Sequence, residues 1–219
     1  MPDAIDLPRF SIAERDRRYA AVRGEMAARG LDCLIVPHNT GDWDSFQPDV
    51  RYLTCIGGGG SAAAVVFPIE GEPIAFCREA PRAAFWKRAQ DWVSDVRAPQ
   101  NAVWSDAIVA AIRDLGWESA RIGVAGLAGV MRDPEGTVSY GEYVGITGQL
   151  PNATFENATA FMHDIRMKKS AEEIGAFERA AVCSDAVSEA IFETARPGAG
   201  ELEVYAAMMA AHILSLIHI

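Results

Sequence analysis

The chain has no apolar run close to the roughly twenty residues that a membrane-spanning helix needs. It also has no basic leader, because Met1-Pro-Asp-Ala-Ile-Asp is acidic where a secretory signal would carry positive charge. Basic residues are in deficit: 20 Lys and Arg stand against 30 Asp and Glu, giving a net charge of -10 and an isoelectric point near 4.9. That balance opposes unaided binding to nucleic acid, whose partners present a basic face. Arg15, Arg17 and Arg18 do cluster, but Glu14 and Asp16 are interleaved with them, and the group reads as a solvated helix face. Cysteine is scarce. The residues at 33, 55, 77 and 183 are widely spaced and form no C-x-x-C pair, so they read as buried reduced thiols rather than disulfides or a zinc site. Internal repeats and low-complexity tracts are missing too. Together these absences predict a cytoplasmic globular protein with neither membrane nor nucleic acid as partner.

What is present suffices for a core: half of the 219 residues are hydrophobic. Ser11 and Glu14 have capping-box spacing, Tyr19, Val22 and Met26 line one helical side, and Gly30 ends the helix. Asp32 to Val36 reads as a buried strand closed by Pro37, and His38 to Asp49 as a polar loop of about a dozen residues. Strands are expected at Tyr52 to Ile56, Ala62 to Phe67 and Ile74 to Cys77, the last two joined through the turn signal Ile69-Glu-Gly-Glu-Pro73. Pro81 to Gln90 reads as a helix, Trp92 to Val96 as a strand, and Ser105 to Leu115 as a helix capped by Ser105. Arg121 to Ala125 and Thr154 to Asn157 complete the strands, and the glycines of Tyr140 to Leu150 weaken the helix signal there without replacing it by another. Strands alternating with helices around a hairpin predict an α/β fold with a mixed, helix-flanked sheet.

The most telling stretch is the last fifty or so residues. Ser170 and Glu173 form a second capping box, and Ile174, Phe177, Ala181, Ser184, Val187 and Ile191 mark one helical face. Pro197 and Gly198 end that helix, and Glu201 and Glu203 place negative charge in the first turn of the next. The run Ile165-Arg-Met-Lys-Lys-Ser170-Ala-Glu-Glu-Ile174, an Ala-rich helix and then Pro197-Gly-Ala-Gly-Glu-Leu-Glu203 resembles the start of the catalytic "pita-bread" domain of the creatinase, prolidase and aminopeptidase P family. Gly30-Leu-Asp-Cys-Leu-Ile-Val-Pro37, then Arg51-Tyr-Leu-Thr54 and the glycines after it, looks like that family's N-terminal domain, which is ribonuclease-H-like. The family often has Ser or Thr where this chain has Gly200, and glycine also caps with little loss.

This resemblance implies a creatinase/prolidase N-terminal domain over residues 1–165, joined by a short charged linker at His163 to Lys169. The truncated start of a pita-bread metallopeptidase domain would follow over 166–213. The parent enzyme would be a homodimeric Xaa-Pro aminopeptidase or dipeptidase acting on peptides with two divalent ions, Mn, Co or Zn. Alternatives are a creatinase-like amidinohydrolase acting on a small molecule and a non-catalytic binding or dimerisation module. The family's metal ligands, two Asp, one His and two Glu, lie beyond the second helix. No residue here inherits a catalytic or metal role, and the chain alone is expected to be inactive, with no cofactor of its own. Leu214 to Ile219 reads either as a non-native tail translated from a sequencing adapter or as an ordinary apolar helix end.

Several features could carry chemistry within the chain. Gly57-Gly-Gly-Gly-Ser61 lacks the Lys-Ser/Thr ending of a P-loop and runs into a strand rather than a helix, so it reads as a tight connection. Trp86, Trp92 and Trp104 fall among apolar neighbours, as core or interface anchors do. His38, Asp42, Asp44 and Asp49 concentrate metal-ligand types in one loop, which is either a cation site or a solvated loop, although the spacing matches no calcium loop. The resemblance adds a third reading. In such dimers the N-terminal domain of one subunit leans over its neighbour's pocket, so His38, Asp42, Trp43 and Asp44 would help shape substrate choice.

Overall fold

The computed structural model describes residues 9–38, 48–57, 62–129 and 134–216. The chain forms two compact units, divided between Lys168 and Lys169. In the first, helices and strands follow in the order α1 (Ile12–Arg29), β1 (Cys33–Val36), α2 (Pro48–Thr54), β2 (Ala63–Pro68), β3 (Ile74–Cys77), α3 (Ala80–Ala89) and β4 (Asp95–Arg97). After a 3-10 turn at Gln100–Ala102 come α4 (Trp104–Asp114), β5 (Arg121–Val124), α5 (Tyr140–Gln149), β6 (Thr154–Asn157) and α6 (Thr159–Met167).

The strands make one mixed sheet in the order β4-β3-β2-β1-β5-β6. β1 pairs antiparallel with β2 and parallel with β5, and the β2–β3 hairpin turns through Gly71 at φ 88°. The outer pairs, β3–β4 and β5–β6, are parallel. Alternation along β1 explains its unbroken apolar sequence. Leu34 and Val36 enter one core with Met26, Leu53, Phe67 and Met162, while Cys33 and Ile35 enter another with Ile108, Ile112, Ile122 and Ile146. A strand buried on both faces has no polar side to show.

The expected caps of α1 are present. Ser11 Oγ accepts from the Glu14 amide at 3.1 Å and Gly30 ends the helix at φ 65°, while the Glu14 carboxylate of the expected capping box pairs with Arg17 and Arg18. Arg18, however, is no solvated charge. Its side chain is 3% exposed, as is that of Glu14, whose Oε1 it meets at 2.7 Å. Phe10, Tyr52 and Trp92 present their rings to the Arg18 guanidinium at 4.5, 4.4 and 5.1 Å. Arg18 is therefore a buried cation satisfied by a carboxylate, a carbonyl and aromatic faces.

Other expectations need correction. The strand expected at Tyr52 to Ile56 is helix α2, whose end is tied by Thr54: its hydroxyl donates to the Val50 carbonyl at 2.7 Å and accepts from the Ile56 amide at 3.0 Å. Ser105 does not cap α4. Val103 holds the N-cap position, and Ser105 lies buried inside the helix, facing α5. The glycines of α5 do not prevent a helix, and Gly145 has a packing reason, since a Cβ there would fall 2.7 Å from Ser105 Oγ. The strand near Trp92 starts later, at Asp95, with Trp92 and Val93 filling the core ahead of it. His163 to Lys169 is largely helical, because α6 runs to Met167 and buries Phe161 and Met162.

The second unit consists of α7 (Ala171–Thr194) and α8 (Glu201–Leu216), which pack on each other. The Ser170–Glu173 capping box closes in both directions, at 3.0 and 2.9 Å. Gly198 turns the connection at φ 92°. α8 carries the first three residues of the Leu214 to Ile219 segment, and the last three lie outside the described residues. Among the described residues no helix is long and apolar enough to cross a membrane.

Candidate functional site

The residues singled out in the long loop begin where β1 leaves the sheet. β1 and β5 are parallel, so their carboxyl ends lie side by side, the position at which α/β sheets commonly present function. Pro37 ends the strand's donor pattern, and His38 follows it. The His38 amide donates to Glu142 Oε1 at 3.0 Å. Its imidazole stacks on the indole of Trp104, with centroids 4.9 Å apart and planes 7° from parallel. Three element ends thus converge: the exit of β1, the first residue of α4 and the first turn of α5.

Glu142 is placed by local sequence. Ser139 caps α5 and accepts the Glu142 amide at 3.2 Å, which makes Glu142 the third residue of the helix. A carboxylate in a first turn gains from the helix dipole. Burial outweighs that gain and pushes the Glu142 carboxyl up to about 7, against the opposing hydrogen bond from His38. Burial also lowers the His38 imidazole, and Arg78 adds to the effect. At neutral pH the histidine is therefore uncharged and packs as a flat ring, while the carboxyl beneath it stands near its titration midpoint.

Asp49, a member of the sequence-level cluster, is not free to join a cation there. It lies in the first turn of α2 and pairs with Arg166 of α6 at 2.7 Å. Asp42, Trp43 and Asp44 lie outside the described residues. Among the described residues no three His, Cys, Asp or Glu side chains are grouped to hold a metal ion, so they do not form a dinuclear site. Between the ends of β1 and β5, a void lined by Val36, Pro37, Asp49 and Gly126 measures about 10 Å³, room for a single water at most. The chemistry this arrangement offers is positioning: it fixes the direction in which the chain leaves β1. Sequence reasoning missed Glu142 and the pairing of Trp104 with His38. The Ser139-x-x-Glu142 spacing was the available signal, obscured by the glycines around it.

Residues 18–168 match the creatinase/prolidase N-terminal domain, which is well over half of the chain. The chain belongs to this family. No curated protein matches it in sequence. Solved structures agree on the fold. An X-Pro aminopeptidase from Thermotoga maritima superposes with a TM-score of 0.69 at 16% identity, over 90% of this chain and 49% of its own. An Xaa-Pro dipeptidase from Bacillus anthracis gives 0.65 at 17% identity, over 91% and 49%. The N-terminal domain of the cytoplasmic peptidase PepQ from Mycobacterium tuberculosis gives 0.50 at 14% identity, over 68% of this chain and 98% of its own. This creatinase/prolidase-type chain therefore spans about half the length of the two longer relatives, corresponding to their N-terminal half. At these identities the likeness is one of fold.

Proposed function

We propose that this chain is the N-terminal part of an Xaa-Pro peptidase-like dinuclear metallohydrolase, and that the metal chemistry is performed by residues outside it. The observation that carries the reading is the coverage. Nine-tenths of this chain corresponds to half of an X-Pro aminopeptidase, and the family's N-terminal domain accounts for 18–168. In the intact protein two divalent ions, Mn, Co or Zn, would activate water and stabilise the oxyanion that develops at the scissile carbonyl of a peptide. The contribution of this chain is spatial. His38, held by Glu142 and Trp104, sets the base of the loop that carries Asp42, Trp43 and Asp44 toward the pocket of a partner subunit, where they select substrate.

The second unit supports a larger assembly. Phe192 and Leu202 are 83% and 81% exposed, and Ile174, Phe177 and Tyr205 are exposed as well. A surface that apolar is normally covered by more protein. The chain alone, purified and supplied with manganese or cobalt, should not hydrolyse Xaa-Pro peptides above background. Turnover that persists after contaminating peptidases are rigorously removed would overturn the proposal.

A further inference from the structure

A cavity of about 350 Å³ lies in the first unit between the approach to α1, the end of α2 and the end of α3. That is within the range of small-molecule sites, roughly 300–1,000 Å³. Charges of both signs line it. Arg51 on α2 and Asp91 after α3 are exposed, and neither makes an ion pair or a side-chain hydrogen bond among the described residues. Both line the same space while remaining unpaired with each other. Arg9, which donates to the Arg88 carbonyl at 3.5 Å, also borders the cavity, and the half-buried indole of Trp86 forms an apolar wall.

The backbone at this cavity is unusual. Cys55 has φ 57°, the left-handed region that non-glycine residues rarely occupy, and such strain tends to gather at ligand sites. Burial pushes the Cys55 thiol up to about 12, so it stays protonated and is a neutral surface rather than a nucleophile. An unpaired cation, an unpaired anion, a neutral floor and an aromatic wall complement a ligand that carries both charges and a flat apolar group.

We propose that this cavity binds a small zwitterion, an α-amino acid with an aromatic side chain, its carboxylate on Arg51, its ammonium on Asp91 and its ring against Trp86. The inference does not depend on the chain being part of a peptidase. The test is calorimetric titration of the full chain with L-phenylalanine, alongside phenethylamine and 3-phenylpropionate, each of which lacks one of the two charges. Saturable binding of phenylalanine is expected, with either analogue weaker by about tenfold or more, as the loss of one charge-assisted contact implies. Arg51→Ala and Asp91→Asn should each weaken phenylalanine binding by a similar factor. Because both side chains are exposed, the thermal transition should not move, which separates lost binding from lost folding. Absence of saturable binding at millimolar phenylalanine, or affinities that neither substitution changes, would overturn the proposal.

Discussion

Replacing Arg18 with alanine should destabilise the first unit by about 3–5 kcal/mol, the range for breaking a buried ion pair from one side. The substitution strips the Tyr52 carbonyl of its 3.0 Å donor and opens a hole between three aromatic rings. It also leaves the buried Glu14 carboxylate paired with Arg17, whose side chain is 40% exposed. Against a typical stability of about 5–15 kcal/mol, that loss is a large share of the whole. Arg18→Lys should cost less but still be clearly destabilising, since an ammonium keeps the charge and loses the planar fork. Denaturant unfolding decides the matter: the midpoint should fall sharply for Arg18→Ala, with little change in slope. A loss below about 1 kcal/mol, the worth of an exposed pair, would return Arg18 to the solvated face that its sequence neighbours suggest.

Glu142→Gln should reveal a pH-dependent cost at the base of the His38 loop. A carboxyl that titrates near 7 when folded and near 4.5 when unfolded holds its proton more tightly in the native state. Folding stability from this group is therefore complete below the unfolded value and is lost as pH rises through the folded one. The shift corresponds to up to about 3 kcal/mol, at about 1.4 kcal/mol per pH unit. Glutamine keeps an acceptor for the His38 amide but has no proton to lose. The stability of Glu142→Gln relative to the parent should accordingly climb between pH 4.5 and 7 and then level off. A difference that stays flat across that window would mean that Glu142 is ionised in the folded protein throughout.

Much of the fold was legible because local and global signals agreed. Ser11 and Gly30 bound α1, the apolar run at Cys33–Val36 is a strand buried on both faces, and Ser170 with Glu173 starts α7. The failures have physical causes. α2 contains Val50, Tyr52 and Thr54, residue types that favour strands, yet its buried side and the Thr54 hydrogen bonds hold it as a helix. α6 was hidden because the segment read as a linker starts at His163, past Thr159, Phe161 and Met162, which are the helix's buried residues. α5 tolerates glycine because Gly145 lets it approach Ser105 of α4 more closely than alanine could. Arg18 was misread because its partners Phe10, Tyr52 and Trp92 come from three separate segments, and no local window contains them all.

At the site, His38 was found from its place after a buried strand, whereas its two fixing partners lie 66 and 104 positions further along the chain, at Trp104 and Glu142. Stacking between an imidazole and an indole leaves no trace in spacing. The raised titration of Glu142 depends on burial that only the assembled sheet and helices create.

As the proposed N-terminal part of an Xaa-Pro peptidase-like enzyme, this chain requires metal ligands supplied by residues outside it. Sequencing the source DNA through the codons for Ala210 to Ile219 and beyond tests this most directly. The expected result is a reading frame that leads into a domain carrying two Asp, one His and two Glu ligands. A native gene that encodes Leu214 to Ile219 and then terminates would contradict it and leave a binding or dimerisation module in its place.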